Sequence, residues 1–316
     1  MTEKWRVYLP IMGVKFRNGY KEFDIGNIKF CYTNAEEMGL GDPYGNYPNV
    51  SKNTEYLCVS TEVEADKDNS IDFALEYIED ALSVIRFAIT HGWGILPPMG
   101  IITARKFPKY SEVLAKCNNG KGYREPLYPK RRQYEFRITP EEVIKWEKLY
   151  AREILDLLLK KHQGVVLTPL DEMIVNVLVW CGSSIEDVHP RDALLRGVTA
   201  VESIVQYKCH IQGAGKISKY FREYAAVLLC MYENSPASFQ TYSKFFKQIY
   251  EIRCSISHGG SFSNEEYLTI LMRIEKERLI HKVCLSALLL WKEVTNMNDF
   301  YNKIEQERLR YQLARW

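Results

Sequence analysis

Thr139-Pro140-Glu141-Glu142 marks the point at which this 316-residue chain changes character. Each residue suits the start of a helix. The threonine hydroxyl accepts from an otherwise unpaired backbone N–H, and proline at the first helical position lacks an N–H that would have no partner. The two carboxylates face the positive end of the helix dipole. Beyond this point the apolar spacing predicts helices only. The first runs from Thr139 to about His162, followed by helices at about Pro169 to Cys181, Pro190 to Tyr207, Gly215 to Met231, Pro236 to Ser257 and Asn264 to Thr295. A last, basic helix spans Asp299 to Arg315. Short connections between such helices make an all-α bundle.

Before Thr139 the pattern is different. Trp5 to Phe16, Ile25 to Tyr32 and Glu55 to Val63 are short β-branched and aromatic runs, punctuated by Asn18-Gly19, Gly26-Asn27 and a loop from Gly39 to Pro48. One helix interrupts them, from Asp68 to Thr90, with Phe73, Ile78, Leu82 and Ile85 at helical spacing. His91-Gly92-Trp93-Gly94 ends it and Pro97-Pro98 forbids its continuation. Ile101 to Phe107 and Gln133 to Ile138 read as strands around a Gly- and Asn-rich loop carrying Lys116, Lys121, Arg124, Lys130, Arg131 and Arg132. With Tyr123 and Tyr128 nearby, Lys130, Arg131 and Arg132 are candidate nucleic-acid contacts; solvated loop charge is the other reading. The expected fold class is therefore α+β, with a β-rich mixed domain over 1–138 and an all-α domain over 139–316.

Composition bounds the partners and the compartment. Hydrophobic residues make up 46% and charged residues 26%, values of an ordinary globular protein, and the net charge of +2 leaves any nucleic-acid surface to a local patch. No run approaches the roughly 18 apolar residues of a membrane span. Met1-Thr2-Glu3-Lys4-Trp5 lacks the basic-then-apolar pattern of a signal peptide, so a cytoplasmic protein is expected. The eight cysteines form no C-x-x-C pair and several sit on apolar helical faces, so free buried thiols are expected. Gly213-Ala214-Gly215-Lys216-Ile217-Ser218 lacks the spacing of a phosphate-binding loop. His162, His189, His210 and His281 have no ligand partners at useful spacing, and neither a metal site nor a cofactor is expected.

The chemistry concentrates in Tyr250-Glu251-Ile252-Arg253-Cys254-Ser255-Ile256-Ser257-His258-Gly259-Gly260, late in a helical run that Gly259 stops. Histidine moves protons near neutral pH, and arginine forks hydrogen bonds onto a phosphate as negative charge develops. Together they suit RNA cleavage without a metal. Spacing alone does not single the motif out, because Arg86 and His91 stand equally far apart and are also followed by glycine. Those two read instead as the end of an amphipathic helix. Five residues of separation put Arg253 and His258 about 140° apart on an ideal helix. A frayed last turn, or a second copy across a symmetric dimer, is needed to bring such groups together.

Three stretches carry a resemblance. The segment Pro190-Arg191-Asp192-Ala193-Leu194-Leu195-Arg196-Gly197-Val198-Thr199-Ala200-Val201-Glu202-Ser203-Ile204 is similar to the long helix with an internal glutamate found in HEPN domains. Tyr250 to Gly260 is similar to that family's Tyr-x-x-Arg-Ser-x-x-x-His-Gly pattern, and a long closing helix follows. Within the family the chain resembles the ApeA-like group of prokaryotic defence proteins, over about half its length, from roughly residue 140 to 300. The resemblance implies a helical bundle that forms a homodimer and places two Arg/His motifs in one cleft, acting as a metal-independent endoribonuclease in antiviral, abortive-infection or stress defence. His258 would assist proton transfer at the ribose 2′-hydroxyl or the leaving oxygen. Arg253 would hold the scissile phosphate, with Tyr250 and Cys254 as neighbours in the motif. Glu202 would orient one of the two, or serve only as a salt-bridge carboxylate. RNA, tRNA included, is the implied substrate, and a phage-derived trigger the implied signal to the front domain. Where active members often carry a polar residue directly after the arginine, this chain has Cys254, which motivates a second reading as a non-catalytic RNA-binding or protein-interaction module.

Overall fold

The computed structural model describes residues 3–17, 20–33, 56–65, 67–90, 100–101, 112–116, 122–126, 136–186, 190–212, 216–259 and 273–313. It is mostly helical with a small antiparallel sheet near the N-terminus, an α+β layout. The chain forms two compact units. One comprises Met1–Leu82 and Leu96–Glu153; the other comprises Ser83–Ile95 and Ile154–Trp316.

The first unit is built on a five-stranded sheet. Its strands are β1 (Glu3–Met12), β4 (Ile28–Thr33), β5 (Tyr56–Ala65), β3 (Glu22–Ile25) and β6 (Gly100–Ile101), in the order β3-β4-β5-β1-β6. Gly26-Asn27 joins β3 to β4 with Ile25 opposite Ile28, the two-residue hairpin connection that such a pair favours. Alternation sorts the side chains. Ile25, Ile28, Phe30, Val59 and Val63 are buried on one face, whereas Lys4 and Arg6 on the other pair with the exposed Glu62 at 2.5 Å each. Helix α1 (Lys67–Thr90) begins in this unit, where Tyr77 is buried and its hydroxyl donates to Asn27 Oδ1.

The remaining strands pair outside the main sheet. β2 (Val14–Phe16) runs parallel to β9 (Phe136–Ile138), and β7 (Glu112–Lys116) pairs antiparallel with β8 (Gly122–Pro126). The last two lie in the stretch that composition suggested was loop. Lys116 and Arg124 thus belong to strands, opposite Gly122 and Leu114.

Helix α2 (Pro140–Lys148) starts as its sequence dictates, with the Glu142 N–H donating to Thr139 Oγ1 at 3.3 Å. The single helix expected over 139–162 is two. Leu149 N–H turns back to the carbonyls of Lys145 and Trp146, and Tyr150 then takes φ +58°, which ends α2 before α3 (Ala151–His162) begins. Trp146 is fully buried against Phe23 in the first unit, while Ile154, Leu155 and Leu158 on α3 are buried in the second. The division between units thus falls at Glu153, inside the expected run, and again within α1.

The second unit contains the end of α1 and helices α3, α4 (Pro169–Glu186), α5 (Pro190–Gln212), α6 (Ile217–Glu233), α7 (Phe239–Ser257), α8 (Arg273–Glu293) and α9 (Met297–Leu313). Every residue of α6 from Tyr224 to Cys230 is buried, as for a helix packed on several sides; α5, α7, α8 and α9 all touch it. Arg86 is buried rather than presented to solvent, and donates to Ser83 Oγ at 3.0 Å. His281 is also buried, its Nε2–H donating to the Phe87 carbonyl at 2.8 Å and its ring lying 4.4 Å from that of Phe87. Among the described residues no helix is long and apolar enough to cross a membrane.

Candidate functional site

Helices α5 and α7 build the site. Phe246, Ile249 and Ile252 form the buried face of α7. Tyr250 and Arg253 lie at its margin. The Tyr250 ring packs 5.0 Å from Phe221 of α6, and the Arg253 guanidinium sits over that same ring at 5.9 Å. An aromatic face carries partial negative charge, so this contact limits where the guanidinium points.

Glu202, from the middle of α5, completes the arrangement. Its Oε2 accepts from Arg253 Nη2 at 3.1 Å, with the two side chains 14% and 30% exposed. The pair is neither on the open surface nor sealed from water. Burial raises the Glu202 carboxyl above its ordinary value, and the attraction and hydrogen bond of Arg253 offset only part of that rise. The guanidinium has five N–H donors, and the described bond to Glu202 uses one of them. The remaining donors give Arg253 the means to bind an oxyanion while Glu202 holds it in place.

His258 closes α7. Its backbone N–H donates to the Cys254 carbonyl at 3.0 Å, and Gly259 follows at φ +69° with its N–H on Ile256 O. This left-handed residue is what stops the helix, as the glycine in the sequence suggested. The His258 side chain is exposed, and Cys254, one turn back, is half-buried. Lys247, Glu251 and His258 recur at helical spacing on the exposed face of α7, with Lys247 and Glu251 3.6 Å apart. Arg253 and Glu202 are therefore brought together, as Tyr250 and Arg253 are, while His258 faces solvent from the end of the helix.

Other candidates fall elsewhere. Lys130, Arg131 and Arg132 lie outside the described residues, as do Lys121, Tyr123's side chain and His91. On the last helix, Lys303 pairs with Glu293, Arg308 with Glu223 and Glu305, and Arg310 with Glu307. Among the described residues no three His, Cys, Asp or Glu side chains group as metal ligands. What sequence reading left out is the Tyr250–Phe221 contact that backs Arg253; the signal available was the aromatic pair itself, on two helices whose pairing the sequence does not state. No family model, no curated protein and no solved structure matches this chain.

Proposed function

We propose that the chain is a metal-independent endoribonuclease of the HEPN type, acting as a homodimer in antiviral, abortive-infection or stress defence. The observation that supports this most is that one helix carries both a partly buried, carboxylate-held Arg253 and, at its end, an exposed His258. In this reading His258 takes the proton from the ribose 2′-hydroxyl, or gives one to the leaving 5′-oxygen. Arg253 compensates the charge that builds on the phosphate between them. The products are a 2′,3′-cyclic phosphate and a free 5′-hydroxyl. Glu202 orients Arg253 without touching RNA. The front unit restrains the dimer or senses a trigger, phage-derived in the antiviral case, and the protein works in the cytoplasm.

Cleavage of mixed-sequence RNA and total tRNA in EDTA tests this directly. Wild type should cut and leave cyclic-phosphate ends, and His258→Ala should be about 100-fold slower or worse. RNA left intact by the wild type, both in this assay and in cells where overexpression is toxic, would sink the nuclease reading. The second reading, a non-catalytic module that binds RNA or a partner protein, is favoured by Cys254, a poor hydrogen-bond donor beside Arg253. It expects His258→Ala to leave the biological effect in place.

A further inference from the structure

Strands β4 and β5 pair so that Cys31 lies directly opposite Cys58. Directly opposite residues project to the same face of a sheet, with Cβ atoms about 4.5–5.5 Å apart. Two cysteines far apart in sequence thus become neighbours, and both are buried, Cys58 at 0% and Cys31 at 6% exposed. The hydrogen-bond pattern fixes the kind of pair. Tyr32 N–H donates to Lys21 O at 3.2 Å, toward the β3 side, so the polar groups of the preceding residue point to β5. Cys31 and Cys58 are consequently a hydrogen-bonded pair, with Cα atoms about 5.5 Å apart.

That separation lies inside the disulfide range, but the Cβ atoms must draw in to about 3.5–4.5 Å. Bond formation therefore tightens the two strands locally by about 1 Å. A disulfide made under such strain is reduced easily, the property of a reversible linkage and not of a permanent staple. We propose that Cys31 and Cys58 are a reversible oxidation site, closing to a cross-strand disulfide by exchange with a low-molecular-weight disulfide such as oxidised glutathione. The Cys31 thiolate attacks one sulfur of the reagent, forming a mixed disulfide and releasing one small thiolate. The Cys58 thiolate then attacks the Cys31 sulfur and displaces the second. The protein loses two electrons and two protons, and the reagent leaves as two thiols.

Cys31 attacks first because that residue keeps a little exposure, 6%, while Cys58 keeps none. Burial raises both thiols, but Lys29 works against the rise at Cys31, whereas burial and the neighbouring Cys31 push Cys58 up to about 12. Exchange is slow for the same reason, and faster at higher pH. The site lies in the first unit and is independent of the nuclease reading.

The test uses the folded, full-length chain in glutathione buffers of increasing oxidised-to-reduced ratio, followed by acid quench, alkylation, proteolysis and non-reducing mass spectrometry. A peptide joining Cys31 to Cys58 should rise with that ratio and vanish on return to dithiothreitol. In Cys58→Ser the exchange should stop at the first step, leaving glutathione on Cys31; in Cys31→Ser, Cys58 should stay reduced. Thiols that stay free at every ratio while the chain is folded would overturn the proposal, as would a Cys31–Cys58 link that forms only in denaturant. Pairing of either residue with a different cysteine would overturn it as well. The wild-type result stands even if a serine variant fails to fold.

Discussion

Arg253 is held by a carboxylate that burial makes reluctant to ionise. The folded-state pKa of Glu202 is raised, so the group favours the fold below its ordinary value of 4.5 and loses that contribution as pH rises through the raised pKa. Glu202→Gln keeps the shape and an acceptor while removing the buried charge. Its melting temperature at pH 7 should equal or exceed that of the wild type, with the advantage shrinking as pH falls toward 4.5. RNA cleavage, on the proposed reading, should fall by about 10- to 100-fold, because a neutral partner no longer fixes the guanidinium. A parallel loss of stability and activity would show instead that Glu202 is only a structural salt bridge. Gly259 makes a second prediction at this scale. A Cβ built there meets nothing within 4 Å, so Gly259→Ala has no steric clash to relieve and only its φ of +69° to tolerate. The cost should be about 1 kcal/mol in chemical denaturation, with His258 displaced and, on the proposed reading, cleavage reduced as well. The end of α7 at Gly259 was legible in the sequence, because it is a local statement about one helix. The Tyr250 stack on Phe221 was not, since it depends on which helix α7 packs against.

Helix contacts in the second unit carry two further tests. At Gly182 on α4 a Cβ would lie 1.8 Å from the backbone carbonyl oxygen of Ser83, a separation no relaxation of a side chain can relieve. The two helices cross backbone to backbone at that point. Gly182→Ala should therefore cost at least the roughly 1–3 kcal/mol of ordinary overpacking, read as a lowered denaturation midpoint; an unchanged midpoint would contradict this crossing. The C-terminal helix is fastened differently. Tyr224 of the buried α6 donates to Glu305 Oε1 at 2.6 Å, Arg308 donates to the other oxygen at 2.7 Å, and Tyr301 donates to the Ile204 carbonyl at 2.7 Å. Burial raises the Glu305 carboxyl, but the bonds from Tyr224 and Arg308 outweigh it and hold the group below its ordinary value. Its contribution is thus present above 4.5 and lost as pH falls through the lowered pKa. Tyr224→Phe should cost about 1–3 kcal/mol at neutral pH, and the gap from wild type should narrow on acidification. Equal destabilisation at both pH values would mean that the phenol hydroxyl acts through something other than the Glu305 charge. Most helices of this unit were readable from apolar spacing and caps. The break at Tyr150 was not, because a tyrosine in the left-handed region carries no signal of its own. The hairpin of β7 and β8 was missed for another reason: glycine and lysine are poor strand formers, and pairing with a partner strand overrode their preference.

At the scale of the whole molecule the proposed activity depends on a second copy of the chain. On one α7, Arg253 points along the margin toward Glu202, and His258 stands about 140° around the helix axis at its exposed end. A cleft that uses both groups on one phosphate is therefore easier to assemble from Arg253 of one protomer and His258 of its partner. Two-fold symmetry then gives two such sites per dimer, or one merged cleft containing both pairs. This makes a prediction that a monomeric site cannot mimic. Arg253→Ala and His258→Ala homodimers should each be inactive. Co-expressed at equal levels, they should form mixed dimers in which one protomer supplies an intact arginine and the other an intact histidine. Random assortment makes half of all dimers mixed, each with one working site of two, so activity should recover to about a quarter of wild type. Separately tagged chains purified in tandem would isolate the mixed species and raise recovery to about half. If the mixed dimer forms and stays inactive, the arginine and histidine act from the same chain, or the two motifs act only as a complete set of four. If no mixed dimer forms and each chain runs as a monomer, the composite cleft fails, and the exposed His258 would need another explanation.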